Sequence, residues 1–209
     1  MNQRLEYESV EIFDLHKQIE ALERNKAQLE TTNGQLNEKI NQLQGKTDAL
    51  AVSVDDLDQY SRNSNLLVHG VPSISTGQQE VGLARHVVQL LNTHMGTSLV
   101  ETDLVAVHRL ARHGATAPTL TQKPQPILIQ FGSKNNRNST LASRKHLKGK
   151  GISVTEHLTT RRSQLLKRCS ELVTQGKIEG AWSHDGKILV KTPTHRTIVI
   201  GNDRDLSAF

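Results

Sequence analysis

Hydrophobic residues recur with a seven-residue period from Leu5 to Leu57. With Leu5 at heptad position a, position d is Glu8 and then leucine in every later heptad, while position a is isoleucine or valine in four of the eight heptads. This pattern, without proline, predicts a parallel coiled coil whose helix is about 80 Å long. The residues assigned to the seam are Ile12, Leu15, Ile19, Leu22, Leu29, Asn33, Leu36, Ile40, Leu43, Leu50, Val54 and Leu57.

A single copy of this helix would leave its leucine seam in water, so the pattern indicates an oligomer. The alternative, one amphipathic helix packed on its own domain, fits less well because a small domain seldom needs so long a helix. β-Branched residues at a with leucine at d favour two strands, and Lys26, Asn33 and Thr47 interrupt position a. These polar residues lower stability but set register and parallel alignment, and the pattern by itself favours a dimer.

After the heptad repeat, short apolar runs that are typical of strands alternate with segments that have helical periodicity. We predict strands at 66–71, 104–110, 126–131 and 151–155, and helices at about 80–95 and 138–147. The Ser/Gly-rich stretch after the first strand and residues 112–125, which have no period, are expected to be loops, the second one mobile. The order β-α-β-β-α-β predicts a four-stranded sheet of the ferredoxin-like or RNA-recognition-motif (RRM) type, with both helices on one face and the other face free for a ligand.

The last fifty or so residues predict a separate small unit. A helix over about 161–175 has the apolar face Leu165, Leu166, Cys169, Leu172 and Val173. Two strands flank a hairpin turn at Asp185-Gly186, and a further strand is expected at 198–200. A unit this small needs support from its neighbour. The predicted class is therefore α+β, with a coiled coil at 1–60, an RRM-like domain at 61–157 and a helix-plus-hairpin domain at 158–209.

Charge is divided sharply along the chain. Residues 1–60 contain 6 Lys and Arg against 12 Asp and Glu, and residues 61–209 contain 20 against 9. A body with a net charge of +11 most often binds a polyanion, and nucleic acid is the commonest one. A basic surface that is merely solvated is the alternative, while acidic lipid is disfavoured because no basic amphipathic helix with aromatic anchors is present.

The candidate nucleic-acid contacts are cations near helix ends, strand ends and the hairpin. Four of them lie within the seven residues 144–150, more than the helix dipole requires. The RRM base-stacking signature is absent and aromatic residues make up only 3% of the chain, so we expect sequence-tolerant contact with backbone phosphates of a single strand. The candidates are Arg62, Arg109, Arg112, Arg144, Lys145, Lys148, Lys150, Arg161, Arg168, Lys187 and Lys191; Arg162 falls nearer the buried face of its helix.

Catalytic and metal-binding patterns are missing. Gly45-Lys46-Thr47 lacks the remaining glycine of a phosphate-binding loop, and the histidines show no metal-ligand spacing. Cys169 lies on an apolar helix face, where a core thiol is expected, and Asp55, Asp56 and Asp58 are expected to be a solvated helix end. We therefore expect no enzyme, no cofactor, no metal, no small-molecule substrate and no membrane association. A lone cysteine and the absence of a secretory segment suit an intracellular protein.

A series of short motifs occurs in order along the chain. These are Asp58-Gln59-Tyr60-Ser61-Arg62 with Asn65-Leu66, His69-Gly70-Val71-Pro72, His108-Arg109-Leu110, Pro126-Ile127-Leu128-Ile129-Gln130-Phe131, Arg144-Lys145-His146-Leu147-Lys148-Gly149 and Ala181-Trp182-Ser183-His184-Asp185-Gly186-Lys187-Ile188. Together they resemble the first-open-reading-frame protein of LINE-type retrotransposons, in its invertebrate form. The resemblance spans nearly the whole chain.

The resemblance implies a homotrimeric coil, with the dimer second, and binding of single-stranded RNA and DNA. It also implies nucleic-acid chaperone activity in the ribonucleoprotein particle of the element. The expected location is the cytoplasm, and the nucleus is left open as a second location. It favours Arg62, Arg109, Arg144, Lys145, Arg161 and Arg168 as contacts. Asn63-Ser64 stand where relatives often carry another basic residue, which weakens the expected clamp at the joint, and the family's N-terminal part is expected to be missing.

The pattern also suggests two other functions. In a structural adaptor, the coil would recruit a protein partner and the basic surface would be incidental. A basic-zipper transcription factor fails on order, because its basic helix precedes the zipper, whereas here the acidic heptads come first.

Overall fold

The computed structural model describes residues 2–72, 82–110 and 124–209, with the backbone alone for residues 2–10. The chain forms two compact units, Met1–Val54 and Asp55–Phe209. The architecture is mixed α+β, with a long N-terminal helix, antiparallel sheets and further helices, so the predicted class is confirmed. Among the described residues, no helix is both long and apolar enough to cross a membrane.

Helix α1 (Asn2–Arg62) contains the heptad repeat. From Ile12 onward, its large apolar residues at positions a and d lie in water in a single chain, with exposed fractions from 51% at Leu15 and Ile19 to 71% at Leu57. The helices of a globular domain normally turn such a row toward a core. The long helix is thus confirmed, and its apolar row remains uncovered in one copy of the chain.

The second unit begins with a four-stranded antiparallel sheet. Its elements in chain order are β1 (Asn65–His69), α2 (Leu83–Met95), β2 (Leu104–Arg109), β3 (Ile127–Phe131), α3 (Lys134–Ala142) and β4 (Ser153–Glu156). The strands lie in the order β2-β3-β1-β4, which makes β2 and β4 the edges. Leu66, Val68, Ile129 and Phe131 point to one face and pack with both helices into a core, and the predicted strand at 126–131 is confirmed as β3.

Two helix boundaries differ from those expected. Helix α2 begins at Leu83 after Gly82, and the predicted start near residue 80 lies outside the described residues. Helix α3 covers Lys134–Ala142 and tightens into a 3-10 turn at Ser143–Leu147, whereas we expected one helix over 138–147. The early start falls in an asparagine-rich stretch, which local propensity places in a turn. There the buried side chain of Arg137 fixes the first turn through tertiary contacts.

A second, three-stranded sheet follows. It comprises α4 (Thr160–Thr174), β5 (Gly180–His184), β6 (Lys187–Lys191) and β7 (Thr197–Ile200), with strand order β5-β6-β7. Asp185 and Gly186 both have positive φ, as a two-residue hairpin turn requires, so this turn is confirmed. Helix α4 packs Leu165 and Cys169 against Ile188, Val190 and Ile200 in a second core. A terminal 3-10 turn, Asp203–Ala208, was not predicted.

Within the second unit, polar contacts join the C-terminal end of α1 to the residues that follow β4 and to α4. The buried Gln59 accepts from the Thr159 backbone N–H at 3.0 Å and donates to the His157 carbonyl at 3.2 Å. Arg162 donates to Asp55 Oδ2 at 2.7 Å and also contacts Asp56. Our expectation of solvated aspartates is therefore wrong for Asp55, whose side chain is only 13% exposed. A contact between residues so distant in sequence leaves no local pattern.

Candidate nucleic-acid interface

Three predicted contacts, Arg144, Lys145 and Lys148, line one shallow depression of about 340 Å³. The buried side chain of Leu147 anchors the 3-10 turn, and the surrounding cations are left exposed. Within the described residues, the side chains of these three cations make no hydrogen bond or ion pair, so their charges remain available to a ligand. The other lining residues are Leu147, Gly149, Gly151, Ile152, Ser153 and Val154.

The depression lies beside the edge strand β4. Gly149 and Gly151 have positive φ, which lets the chain reverse sharply from the 3-10 turn into this strand. Gly70, at the end of β1, approaches so closely that a Cβ there would collide with the Gly151 carbonyl oxygen. The backbone around the cations is therefore held against the sheet.

Lys150 is placed differently from its neighbours. Its Nζ donates to the carbonyl oxygen of His94 at 3.2 Å, near the C-terminal end of α2. A cation at that end satisfies a free carbonyl and interacts favourably with the helix dipole. The structure thus separates Lys150, which has a structural partner, from the three cations of the depression.

Arg62 lies at the end of α1 and has two partners. Its Nε donates to Asp58 Oδ1 at 2.8 Å, and its Nη1 donates to His157 Nε2 at 2.7 Å. That geometry requires an unprotonated Nε2. Burial lowers the pKa of His157, the charges of Arg62 and His108 lower it further, and Asp58 opposes them. Arg62 therefore ties the helix end to the sheet and keeps 29% of its side chain exposed.

Arg109 holds the backbone at the end of β2. Its guanidinium donates to the carbonyl oxygens of Val71 at 2.9 Å, Pro72 at 2.8 Å and Gln125 at 3.0 Å. These bonds draw together the exit of β1 and the approach to β3. Arg112, the other cation predicted near this strand, lies outside the described residues, as does most of the loop expected at 112–125.

The arginines of α4 do not form one basic stripe. Arg168 is ion-paired with Asp203, and Arg161 is half-buried near Asp55. Arg162, which the helical pattern places nearer the buried face, donates to Asp55, Asp56 and the carbonyl oxygen of Gly186. Burial raises the pKa of Asp55, but hydrogen bonds from Thr159 and Arg162, together with the charge of Arg162, outweigh burial and hold that pKa below its ordinary value.

The remaining predicted contacts, Lys187 and Lys191, lie on β6. Lys191 Nζ is 2.7 Å from Glu179 Oε2, and the same carboxylate contacts His195. Lys187 is exposed and makes no ion pair within the part of the chain that the structure describes. The hairpin therefore offers one unpaired and one paired cation.

Sequence reasoning overlooked three histidines near the sheet surface opposite the helices. His69 and His108 lie on strands at positions that alternate with core residues, and His157 follows β4. His69 Nε2 is 2.9 Å from Thr155 Oγ1, and burial lowers its pKa. The sequence does contain a signal for these positions. Successive residues of a strand point to opposite faces of the sheet, so a histidine next to a buried residue lies on the other face.

Among the described residues, no group of three His, Cys, Asp or Glu side chains could hold a metal ion. Cys169 is fully buried in the second core, as predicted, and burial raises the pKa of its thiol. A buried neutral thiol is a poor nucleophile. No protein-family model and no curated protein sequence matches this chain.

Proposed function

We propose that the chain is an oligomeric protein that binds single-stranded RNA and DNA with little sequence preference. In this proposal it acts as a nucleic-acid chaperone, without enzymatic activity, in the cytoplasmic ribonucleoprotein particle of a LINE-type retrotransposon. The observation that carries the binding proposal is the depression bounded by Arg144, Lys145 and Lys148, whose charges have no partner among the described residues. Phosphates bind such cations in any sequence context.

The element order supports an RRM-like assignment for the first sheet. Four antiparallel strands in the order β2-β3-β1-β4 alternate with two helices as β-α-β-β-α-β, which is the split arrangement of that class. In RRM domains the face opposite the helices commonly meets RNA. Here that face carries histidines rather than the usual stacking aromatics, which agrees with sequence-tolerant binding.

Association through the heptad seam is the second part of the proposal. A row of exposed leucines and isoleucines along α1 supports a parallel coiled coil, with a trimer favoured by the resemblance and a dimer as the alternative. Each copy of the seam is followed in sequence by one basic unit. An assembled oligomer therefore presents two or three binding units to one nucleic-acid strand. Linked binding events raise avidity by orders of magnitude without new contacts. Many weak and fast contacts of this kind suit a chaperone.

A salt series on the full-length chain tests the binding proposal. Single-strand affinity should fall steeply with salt, with a log–log slope of about −0.7 for each phosphate neutralised. Two unrelated oligonucleotide sequences of equal length should bind alike. A flat salt dependence, or no binding at low ionic strength, would refute the proposal. It would leave the adaptor function, which draws only on the exposed seam and predicts that Arg144→Ala with Lys145→Ala retains the protein partner.

A further inference from the structure

The second sheet has an outer face, opposite the second core, that is separate from the depression described above. Cross-strand pairing places Trp182 opposite Leu189, and Leu189 opposite Val199, so these residues form one row across β5, β6 and β7. The neighbouring positions Ile188 and Ile200 point into the second core, and the row therefore lies on the opposite face. Val199 is 57% exposed, and Trp182 and Leu189 are partly exposed.

Trp182 is the only tryptophan of the chain. Gly180 precedes it by two residues on the same face, and a Cβ at Gly180 would lie 4.0 Å from Trp182 Cζ3. The indole thus leans along the strand over a position that has no side chain. It is held against the sheet and remains partly open to solvent.

Two cations flank the apolar row. Lys187 and Lys191 are on β6 on either side of Leu189 and share its face, about 13 Å apart at the rise of a strand. Lys187 is exposed and unpaired within the described residues, and Lys191 makes a partly exposed pair with Glu179. An ion pair that solvent reaches contributes little to stability, so Lys191 can exchange Glu179 for a phosphate at little cost. The row is therefore an aromatic and aliphatic surface with a cation on each side of its middle residue, Leu189.

We propose that this outer face is a base-stacking platform for a single strand, on which Trp182 stacks against a base while Lys187 and Lys191 contact phosphates. The inference rests on the proposed function and gives it a second contact surface. Charge complementarity selects the occupant, because a strand presents apolar base faces and phosphates together. A single tryptophan supplies stacking without sequence readout, since every base has a π-face, and this refines our expectation of phosphate contact alone.

Because the chain has one tryptophan, its fluorescence in the full-length protein reports on this platform directly. Oligodeoxythymidylate should quench the emission as it binds. An oligonucleotide of equal length that lacks bases carries the same phosphates, and it should bind more weakly without the quenching. This pair of probes separates stacking from charge and requires no substitution.

Variants give a second measurement. Trp182→Leu should weaken oligodeoxythymidylate binding about five- to 150-fold, while Trp182→Phe should retain most of the affinity because a ring remains. The salt slope of Trp182→Leu should equal that of the parent, since stacking releases no counterions, whereas Lys187→Gln with Lys191→Gln should flatten it. Phe13→Leu, which removes an exposed ring from the other unit, is the matched control and should bind like the parent.

Each outcome has one interpretation. Salt-dependent binding with unchanged tryptophan emission, or parental affinity in Trp182→Leu, overturns the platform and leaves the proposed function standing. A flattened salt slope in Trp182→Leu assigns its loss to phosphate contacts and also overturns the platform. If neither probe binds the parent at low ionic strength, the proposed function and the platform fail together. Should Trp182→Leu lose its circular dichroism spectrum, Trp182→Phe and the parent fluorescence decide the question.

Discussion

Arg137 Nη2 donates to Glu156 Oε1 at 2.7 Å, and the two side chains are only 2% and 1% exposed. The pair fixes the first turn of α3 to the end of β4. Through its other terminal nitrogen, Arg137 also reaches Asp185 at 3.4 Å in the hairpin turn of the second sheet. The pair is incompletely satisfied, because Arg137 Nε and Glu156 Oε2 are buried and have no partner.

Glu156→Gln should strongly destabilise the second unit. It removes the charge partner of a buried guanidinium, and breaking a buried pair costs about 3–5 kcal/mol. The combined change Arg137→Met with Glu156→Leu should recover most of this loss, because an apolar pair avoids the desolvation of two charges. Urea unfolding followed by circular dichroism and Trp182 fluorescence measures both. Lys134→Met, which removes an exposed partner of Asp185, is the control and should change little.

Gly186 combines two constraints that a matched pair of variants can separate. Its φ of 76° is costly for other residues, and a Cβ would lie 2.5 Å from Cγ of the buried Gln59. Gly176 has a similar φ of 74° but open space around it. Gly176→Ala should therefore cost about 1–2 kcal/mol from backbone strain alone.

Gly186→Ala should cost more than Gly176→Ala, because Gln59 must shift and weaken its bonds to Thr159 and His157, each worth about 1 kcal/mol. The difference between the two free energies of unfolding isolates the contact. Adding Gln59→Ala to Gly186→Ala should remove most of the loss of stability that comes from the clash with Gln59. Equal losses at the two glycines would show that Gln59 moves aside without cost.

The sequence predicted the elements better than the side-chain partners. The heptads indicated α1 directly, and the apolar run at 126–131 indicated β3. The roles of Arg109 and Asp55 could not be predicted in this way, because their partners are distant in sequence. Arg109 donates to the carbonyl oxygens of Val71 and Gln125, and Asp55 accepts from Arg162. A cation or a carboxylate in the sequence indicates charge, but only the fold decides whether the partner is a ligand or a neighbouring segment.

Acid should destabilise the second unit, because two of its histidines have a lowered pKa in the folded state. Burial lowers the pKa of His69 and of His157, and Arg62 lowers that of His157 further, so the neutral imidazoles are favoured in the folded state. The unfolded chain binds these protons near the ordinary value of 6.5. Their contribution is therefore complete above that pH and is lost as pH falls through the lower folded pKa values.

The free energy of unfolding should accordingly decrease between pH 7 and pH 5. His69→Gln with His157→Gln should flatten this dependence, whereas His184→Gln, at an exposed position of β5, should leave it unchanged. Urea titrations at a series of pH values measure the slope. A parental slope retained in the double variant would assign the acid sensitivity to other groups.

Charge removal in the depression should lower the salt dependence of strand binding. Arg144→Gln with Lys145→Gln removes two cations without partners among the described residues, so the log–log slope should become shallower by about 1.4. The affinities for two unrelated sequences should fall equally, because phosphate contacts carry no sequence information. Lys17→Gln with Lys39→Gln removes the same charge from α1, and an unchanged slope is expected there.

Assembly should depend on the leucines of the seam and not on the charge of the helix. Leu29→Asp with Leu36→Asp places carboxylates at two d positions, whereas Gln28→Asp with Gln35→Asp places them one residue earlier, outside the seam. Burying each leucine contributes about 1.5–3 kcal/mol per chain, and a buried carboxylate adds a penalty. In equilibrium sedimentation, the glutamine variants should keep the parental mass, expected at three times the single-chain 23.2 kDa, and the leucine variants should fall to one chain. A parent that sediments as a single chain at micromolar concentration would contradict the assembly, and avidity along a strand would then have no physical basis.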